Sequence, residues 1–211
     1  MTTEILVQSP LALETEALVL PIAGPKEPDA KPALSGLAAT VNEATGGAIA
    51  ELIAAGEFSA KPLELVVLHR PAGLKARRLV LAGLGSEPVG PLSLWRLAGT
   101  VARQLKAKGV HTLALLPPAG VALPAAAVAY VTGVDAANFD TDVYRADRKP
   151  ERRIDLLQIV LAASDPREPV AQAVREAEII ADGHRFAREL ANEPANRMTP
   201  TILAERAQAM A

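Results

Sequence analysis

Six apolar runs, separated by segments of helical spacing, constrain what this chain can fold into more than any other feature. The runs are Glu4–Gln8, Glu16–Ile22, Leu63–His69, Arg77–Leu84, Val110–Leu116 and Ile154–Ala162. Ala17-Leu18-Val19-Leu20 is apolar at every position rather than alternately. Such a strand needs cover on both faces of its sheet. Between the runs, Leu94, Leu97, Ala98, Val101 and Leu105 fall on one face of a helix over Pro91–Lys108. Leu123–Ala137 is Ala-rich and helical. Glu168–Ala191 would form a helix about 36 Å long at 1.5 Å per residue. Leu34–Ala55 has helical spacing but contains Gly46-Gly47, which predicts two helices or one broken helix ending at Gly56. Only the short, Pro- and Gly-bearing segment 70–76 separates the third and fourth runs, so these two form an antiparallel hairpin. The pattern therefore predicts an α/β fold: a three-layer α/β/α arrangement around a mixed sheet, followed by a long linking helix. Gly24–Pro32 and Asn138–Arg153 are read as loops.

Half of the 211 residues are hydrophobic, but aromatic residues make up only 3%, so the core must be built from Leu, Val, Ile and Ala. No apolar run is long enough to span a membrane. The start, Met1-Thr2-Thr3-Glu4, lacks a basic segment followed by an apolar one, so no secretory signal is expected. The chain has no cysteine, which excludes disulfides and thiolate metal sites and suits a cytoplasmic location. The net charge of −2 does not point to nucleic acid. The charge is uneven, however: residues 1–64 carry −6, residues 65–153 carry +7 and residues 154–211 carry −3. The middle third is thus a candidate electropositive surface.

Four groups of residues could carry chemistry. Gly83-Leu84-Gly85 follows a strand and precedes a helix, the context of a phosphate-binding turn, but Pro88 stands where a third glycine would fall. A tight structural turn is the better reading. His69, His111 and His184 are isolated, with no His-Glu-x-x-His spacing to make a zinc site. Asp135, Asp140 and Asp142 could bind metal or act as acid and base, although solvated loop acids are commoner. Arg145, Arg148, Lys149, Arg152 and Arg153 form a basic run interrupted by Asp147 and Glu151. It suits a solvated loop or subunit contact better than a phosphate backbone.

Near the end, a helical run reaches Leu190 and meets Asn192, Pro194 and Asn196. Pro194 cannot continue a helix and pushes Glu193 toward extended geometry. Asn192 and Asn196 suit the hydrogen bonding of a turn. Thr199 can then cap a second helix, with Pro200 at its first position. The result is a rigid elbow between two helices.

The wording of that elbow, Ala187, Arg188, Leu190, Asn192, Pro194, Asn196, Thr199, Pro200, Leu203, Ala204 and Glu205, resembles the leucyl aminopeptidase (cytosol aminopeptidase) family at the junction between its N-terminal and metallopeptidase domains. Gly133, Phe139, Asp140 and Tyr144 partly resemble a segment near the end of the family's N-terminal domain. The Leu-x-Gly-Leu-Gly strand end also occurs in that domain, where it is not catalytic. The resemblance implies a macro-domain-like fold over residues 1–165, a linking helix over 166–191 and, over 192–211, the first helix of a metallopeptidase domain lying mostly beyond Ala211.

It further implies a complete protein that removes N-terminal amino acids such as leucine from peptides with two divalent metals, zinc or manganese, and that assembles as a hexamer. The family's metal-binding Lys, Asp and Glu residues and its Asn-Thr-Asp-Ala-Glu-Gly-Arg segment are not found here. No catalytic, cofactor-binding or metal residue is therefore assigned, and the 211 residues alone are expected to be inactive. Two alternatives stand beside this reading: an ADP-ribose-type binding module around Gly83–Ser86, and a nucleic-acid-binding module through Arg145–Arg153.

Overall fold

The computed structural model describes residues 1–27, 30–86, 88–141, 143–144 and 152–210. Its sheet contains β1 (Thr2–Val7), β2 (Ala17–Ala23), β3 (Leu65–His69), β4 (Arg78–Gly85), β5 (Thr112–Leu115) and β6 (Leu156–Leu161). The strand order is β1-β6-β5-β2-β4-β3. All neighbours are parallel except β3 and β4, which pair antiparallel with Val67 opposite Val80. The hairpin and the mixed sheet expected from the apolar runs are both present.

Helices cover both faces. On one lie α1 (Leu37–Ala44) and α2 (Ala48–Ala54); on the other lie α3 (Pro91–Lys106), α4 (Leu123–Asn138) and the first half of α5 (Arg167–Asn192). The helix pair α1/α2 breaks where the sequence places Gly46-Gly47. Both glycines have positive φ, +68° and +90°, which other residues rarely adopt. A 3-10 turn at Pro10–Ala12 has no counterpart in the sequence reading, since three residues leave no periodicity to detect.

The central strands are apolar throughout because both faces are buried: Ala17, Leu18, Val19, Leu79, Val80 and Leu81 are all fully buried. Two separate core clusters result, one per face. On the α3/α4 face, Leu94, Leu97, Val101 and Leu105 form the helix stripe that the spacing predicts. Tyr130 of α4 is fully buried among them, and its hydroxyl donates to the carbonyl of Leu116 at 2.9 Å. Burial pushes the Tyr130 phenol well above its usual range, so the group stays protonated. Helices α3 and α4 approach closely at Gly133, where a Cβ would lie 2.5 Å from the carbonyl oxygen of Trp95. That contact fixes how the α4 end is presented to the rest of the chain.

Helix α5 has 26 residues, about 39 Å of helix. Its buried residues, Val170, Ala173, Val174, Ala177 and Ala181, recur at helical spacing and then stop. The remaining turns carry no fully buried residue and run on to the elbow, beyond which α6 (Pro200–Met210) begins.

Candidate functional site

The residues singled out at the elbow converge on one place. The end of α4, Phe139, Asp140, Val143 and Tyr144, the last three turns of α5 and Arg206 of α6 line a cavity of about 410 Å3. Asp135, Asn138, Tyr144, Arg185, Glu189 and Glu193 are among the residues that line it. The elbow forms as its residues dictate. The carbonyl of Pro194 accepts the N–H groups of Arg197 (2.8 Å) and Met198 (3.0 Å). Thr199 caps α6 by accepting the N–H of Ile202 at 3.3 Å. Asn192 donates to the carbonyl of Thr141 at 3.2 Å, while Asn196 is exposed.

Three arginines stack on aromatic rings around this cavity. Arg188 lies 4.2 Å from the Phe139 ring centroid, Arg197 4.8 Å from Tyr144 and Arg206 5.6 Å from Phe186. The chain has only three Phe, two Tyr and one Trp, so half of its aromatic side chains serve these contacts. Arg188 also donates to the carbonyl of Ala136 at 2.7 Å, near the C-terminus of α4, where a cation meets the negative end of the helix dipole. Arg206 reaches Glu189 at 3.5 Å, tying α6 back to α5. The Tyr144 hydroxyl donates to Glu193, and that bond raises the phenol above its ordinary range. Each contact is individually weak because solvent screens it. Together they tie Phe139 and Tyr144 to α5 and the elbow, and α6 back to α5.

Asp135 departs from the solvated loop acid expected of it. It lies on α4, is 8% exposed and pairs with Arg185 of α5 at 3.1 Å. Burial works against the Arg185 charge, but the carboxylates of Asp135 and Asp182 outweigh it, and its pKa is raised. Asp140 lines the same cavity. Asp142 lies outside the described residues, as do Arg145, Asp147, Arg148, Lys149 and Glu151. The rest of the basic run is engaged within the fold: Arg152 donates to the carbonyl of Ala107, and Arg153 meets Asp155 at 2.7 Å.

The glycines of Gly83-Leu84-Gly85 close the end of β4 against the 60–64 segment. The N–H of Gly83 donates to the carbonyl of Glu64 (2.8 Å), and that of Gly85 to Ala60 (2.9 Å). A Cβ on Gly83 would sit 2.1 Å from the carbonyl oxygen of Lys61. These two donors are spent on the chain itself, in keeping with a tight structural turn.

The histidines lie apart: His69 ends β3, His184 is on α5, and His111 precedes β5. The ring of His111 meets Asp155 at 3.0 Å. The hydrogen bond from Arg153, aided by that from His111, holds the Asp155 carboxyl below its usual range. Nearby, Glu16 accepts the backbone N–H groups of His111 (2.6 Å) and Thr112 (3.0 Å). Burial tends to raise the Glu16 carboxyl, but these bonds and the charges of His111 and Arg77 lower it overall. Among the described residues, no three His, Cys, Asp or Glu side chains are placed to hold a metal ion.

Fold and site together define an α/β domain that hands its chain, through a clamped helix, to a second helical segment. The family model described as "Cytosol aminopeptidase family, N-terminal domain" matches residues 19–148. A relative from Koribacter versatilis, described as "Probable cytosol aminopeptidase", is 37% identical over 96% of this chain and 42% of its own length. One of the same description from Acidobacterium capsulatum is 34% identical over 97% of this chain and 42% of its own.

Among solved structures, a mutant of tomato leucine aminopeptidase superposes with a TM-score of 0.80 at 24% identity. It covers 99% of this chain, which spans 42% of that one. The bottromycin maturation enzyme BotP in complex with Mn has the related fold at a TM-score of 0.65 and 20% identity, over 92% of this chain and 36% of its own. The chain belongs to the cytosol aminopeptidase family and corresponds to its N-terminal part. It spans about two-fifths of the length of these curated relatives.

The family wording names Arg188, Asn192 and Thr199, but the sequence alone does not mark Arg185 as the partner of Asp135, nor Arg197 and Arg206 as partners of aromatic rings. For Arg197 and Arg206 the available signal is the scarcity of aromatic residues. When so few are present, an arginine-rich segment near Phe139, Tyr144 and Phe186 is a reason to look for stacking.

Proposed function

We propose that these 211 residues are the non-catalytic N-terminal domain of a metallo-aminopeptidase, and that their function is to position and assemble the hydrolytic part. The observation that carries this reading is the elbow. Its arginine–aromatic contacts orient α6 against a domain whose relatives extend well beyond the matched region. On this reading residues 1–165 are the domain proper, 166–191 the linking helix and 192–211 the first helix of the hydrolytic part. The complete protein releases N-terminal amino acids such as leucine from peptides, and it is a homo-oligomer of six copies in the cytoplasm. Two divalent metals, zinc or manganese, bound by residues beyond this chain, would activate the water and polarise the peptide carbonyl.

The test is hydrolysis of a chromogenic leucine anilide with manganese or zinc added. The 211-residue chain should be inactive, whereas a version extended downstream in the manner of the relatives should cleave the anilide and sediment as a hexamer. Turnover by the 211 residues alone would refute the non-catalytic assignment.

A further inference from the structure

A second groove, lined in part by Arg188, has a different character from the elbow cavity. It runs between α3, α4 and α5 and encloses about 330 Å3. Its cationic or cation-forming side chains are Arg96 and Arg103 of α3 and His184 and Arg188 of α5. No Asp or Glu lines it. The elbow cavity, by contrast, balances its arginines with Asp135, Glu189 and Glu193. Arg96 and Arg103 are exposed, and their guanidinium groups make no ion pair among the described residues. The floor is low because small residues form it: Gly99 and Gly133 meet where α3 and α4 touch. At one end stand two apolar side chains left open to solvent, Trp95 (38% exposed) and Leu63 (40%). Arg96 and Arg103 belong to the positively charged middle third of the sequence.

The spacing of the charges selects an occupant. Arg96 and Arg103 are two helical turns apart, about 10 Å at 1.5 Å per residue. That separation exceeds the reach of a single phosphate or carboxylate. It matches acidic side chains three residues apart on an extended polyproline-II segment, which has three residues per turn and rises about 3.1 Å per residue. Arginine pairs with carboxylates bidentately, and an exposed indole beside it offers an apolar contact for an aliphatic side chain. We propose that this groove is a docking site for an extended acidic peptide segment of a partner protein. Carboxylates lie along Arg96, Arg103 and Arg188, and an apolar side chain rests on Trp95 and Leu63. The segment is held for contact, not for cleavage, so the site stands whether or not the positioning role proposed above is correct.

Trp95 is the only tryptophan, so its fluorescence reports on the groove directly. The probe is the capped peptide Glu-Leu-Glu-Glu-Leu-Glu, added to the 211-residue chain at low salt, with its all-Gln counterpart as control. The expected result is a saturable change in Trp95 emission. The affinity should fall at least tenfold for the Gln peptide and for Arg96→Glu with Arg103→Glu, and should weaken as salt screens the charges. Both arginines are exposed, so the thermal melt should be unchanged; Arg96→Gln with Arg103→Gln gives the same test should charge reversal disturb folding. The proposal is overturned if the wild-type chain shows no saturable change, or if the double variants bind as tightly as wild type. It is also overturned if ATP or an oligothymidine binds more tightly than the acidic peptide, since the groove would then be a phosphate site.

Discussion

The α3/α4 layer and the elbow are both helix-to-helix contacts, yet they are held by opposite means. Between α3 and α4 the contact is volume: Leu94, Leu97, Val101, Tyr130 and Val134 are buried to 1% or less, and Gly133 admits the backbone of α3. At the elbow no residue beyond Ala181 on α5 is fully buried, and the partners are arginines, aromatic faces, carboxylates and helix-end carbonyls. Packing of the first kind tolerates little change and supplies stability. Contacts of the second kind are each weak but directional. They fix an angle without adding much to the free energy of folding. A domain that must fold by itself and also aim the helix after its elbow needs both.

This contrast can be broken most sharply at Gly133. Gly133→Val should force α3 from α4 and cost about 3 kcal/mol or more, seen as a large drop in thermal midpoint. A retained midpoint would mean the two helices are not held by volume. A smaller effect is expected of Tyr130→Phe, which leaves the Leu116 carbonyl without its donor and should cost about 1–2 kcal/mol by chemical denaturation.

Glu16→Gln sharpens the comparison from the other side, because here a charge serves the sheet domain by sitting on two backbone donors. Its loss should cost about 1 kcal/mol at neutral pH. The folded pKa of Glu16 lies below its ordinary value of 4.5. The stabilisation is therefore complete above that value and disappears as pH falls through the lower folded pKa. The gap between wild type and variant should narrow as pH falls below the ordinary value of Glu16 and close once pH is below its lowered folded pKa; a gap that persists in strong acid would show that the charge is not the cause. The smallest effect belongs to the elbow. Arg197→Ala should change global stability by less than about 0.5 kcal/mol, while making the 192–199 backbone more open to limited proteolysis.

Most of the sheet was legible because its strands are buried on both faces and read as unbroken apolar runs. The α1/α2 break was legible at Gly46-Gly47, and the start of α6 at Thr199-Pro200, because those residues have few other conformations to offer. What the sequence hid was pairing across distance. Asp135 falls in the stretch that reads as helical but carries no local sign of a partner, and only the packing of α4 against α5 brings Arg185 to it, fifty residues later. The stacking of Arg197 on Tyr144 depends in the same way on the elbow's turn, which no local periodicity encodes. The groove on α3 was not legible, because Arg96 and Arg103 meet His184 and Arg188 only through the packing of α3 and α5 against α4.

The measurement that tests the two-region account most directly is native-state hydrogen exchange of the 211-residue chain, compared with a variant carrying Arg188→Ala and Tyr144→Leu. The account predicts faster exchange from Arg185 to Leu203, while the amides of α3, α4 and the central strands keep their wild-type protection. If protection in α3 and α4 fell together with the elbow, the two regions would be one cooperative unit. If the elbow were unaffected, the arginine–aromatic contacts would not be what holds it.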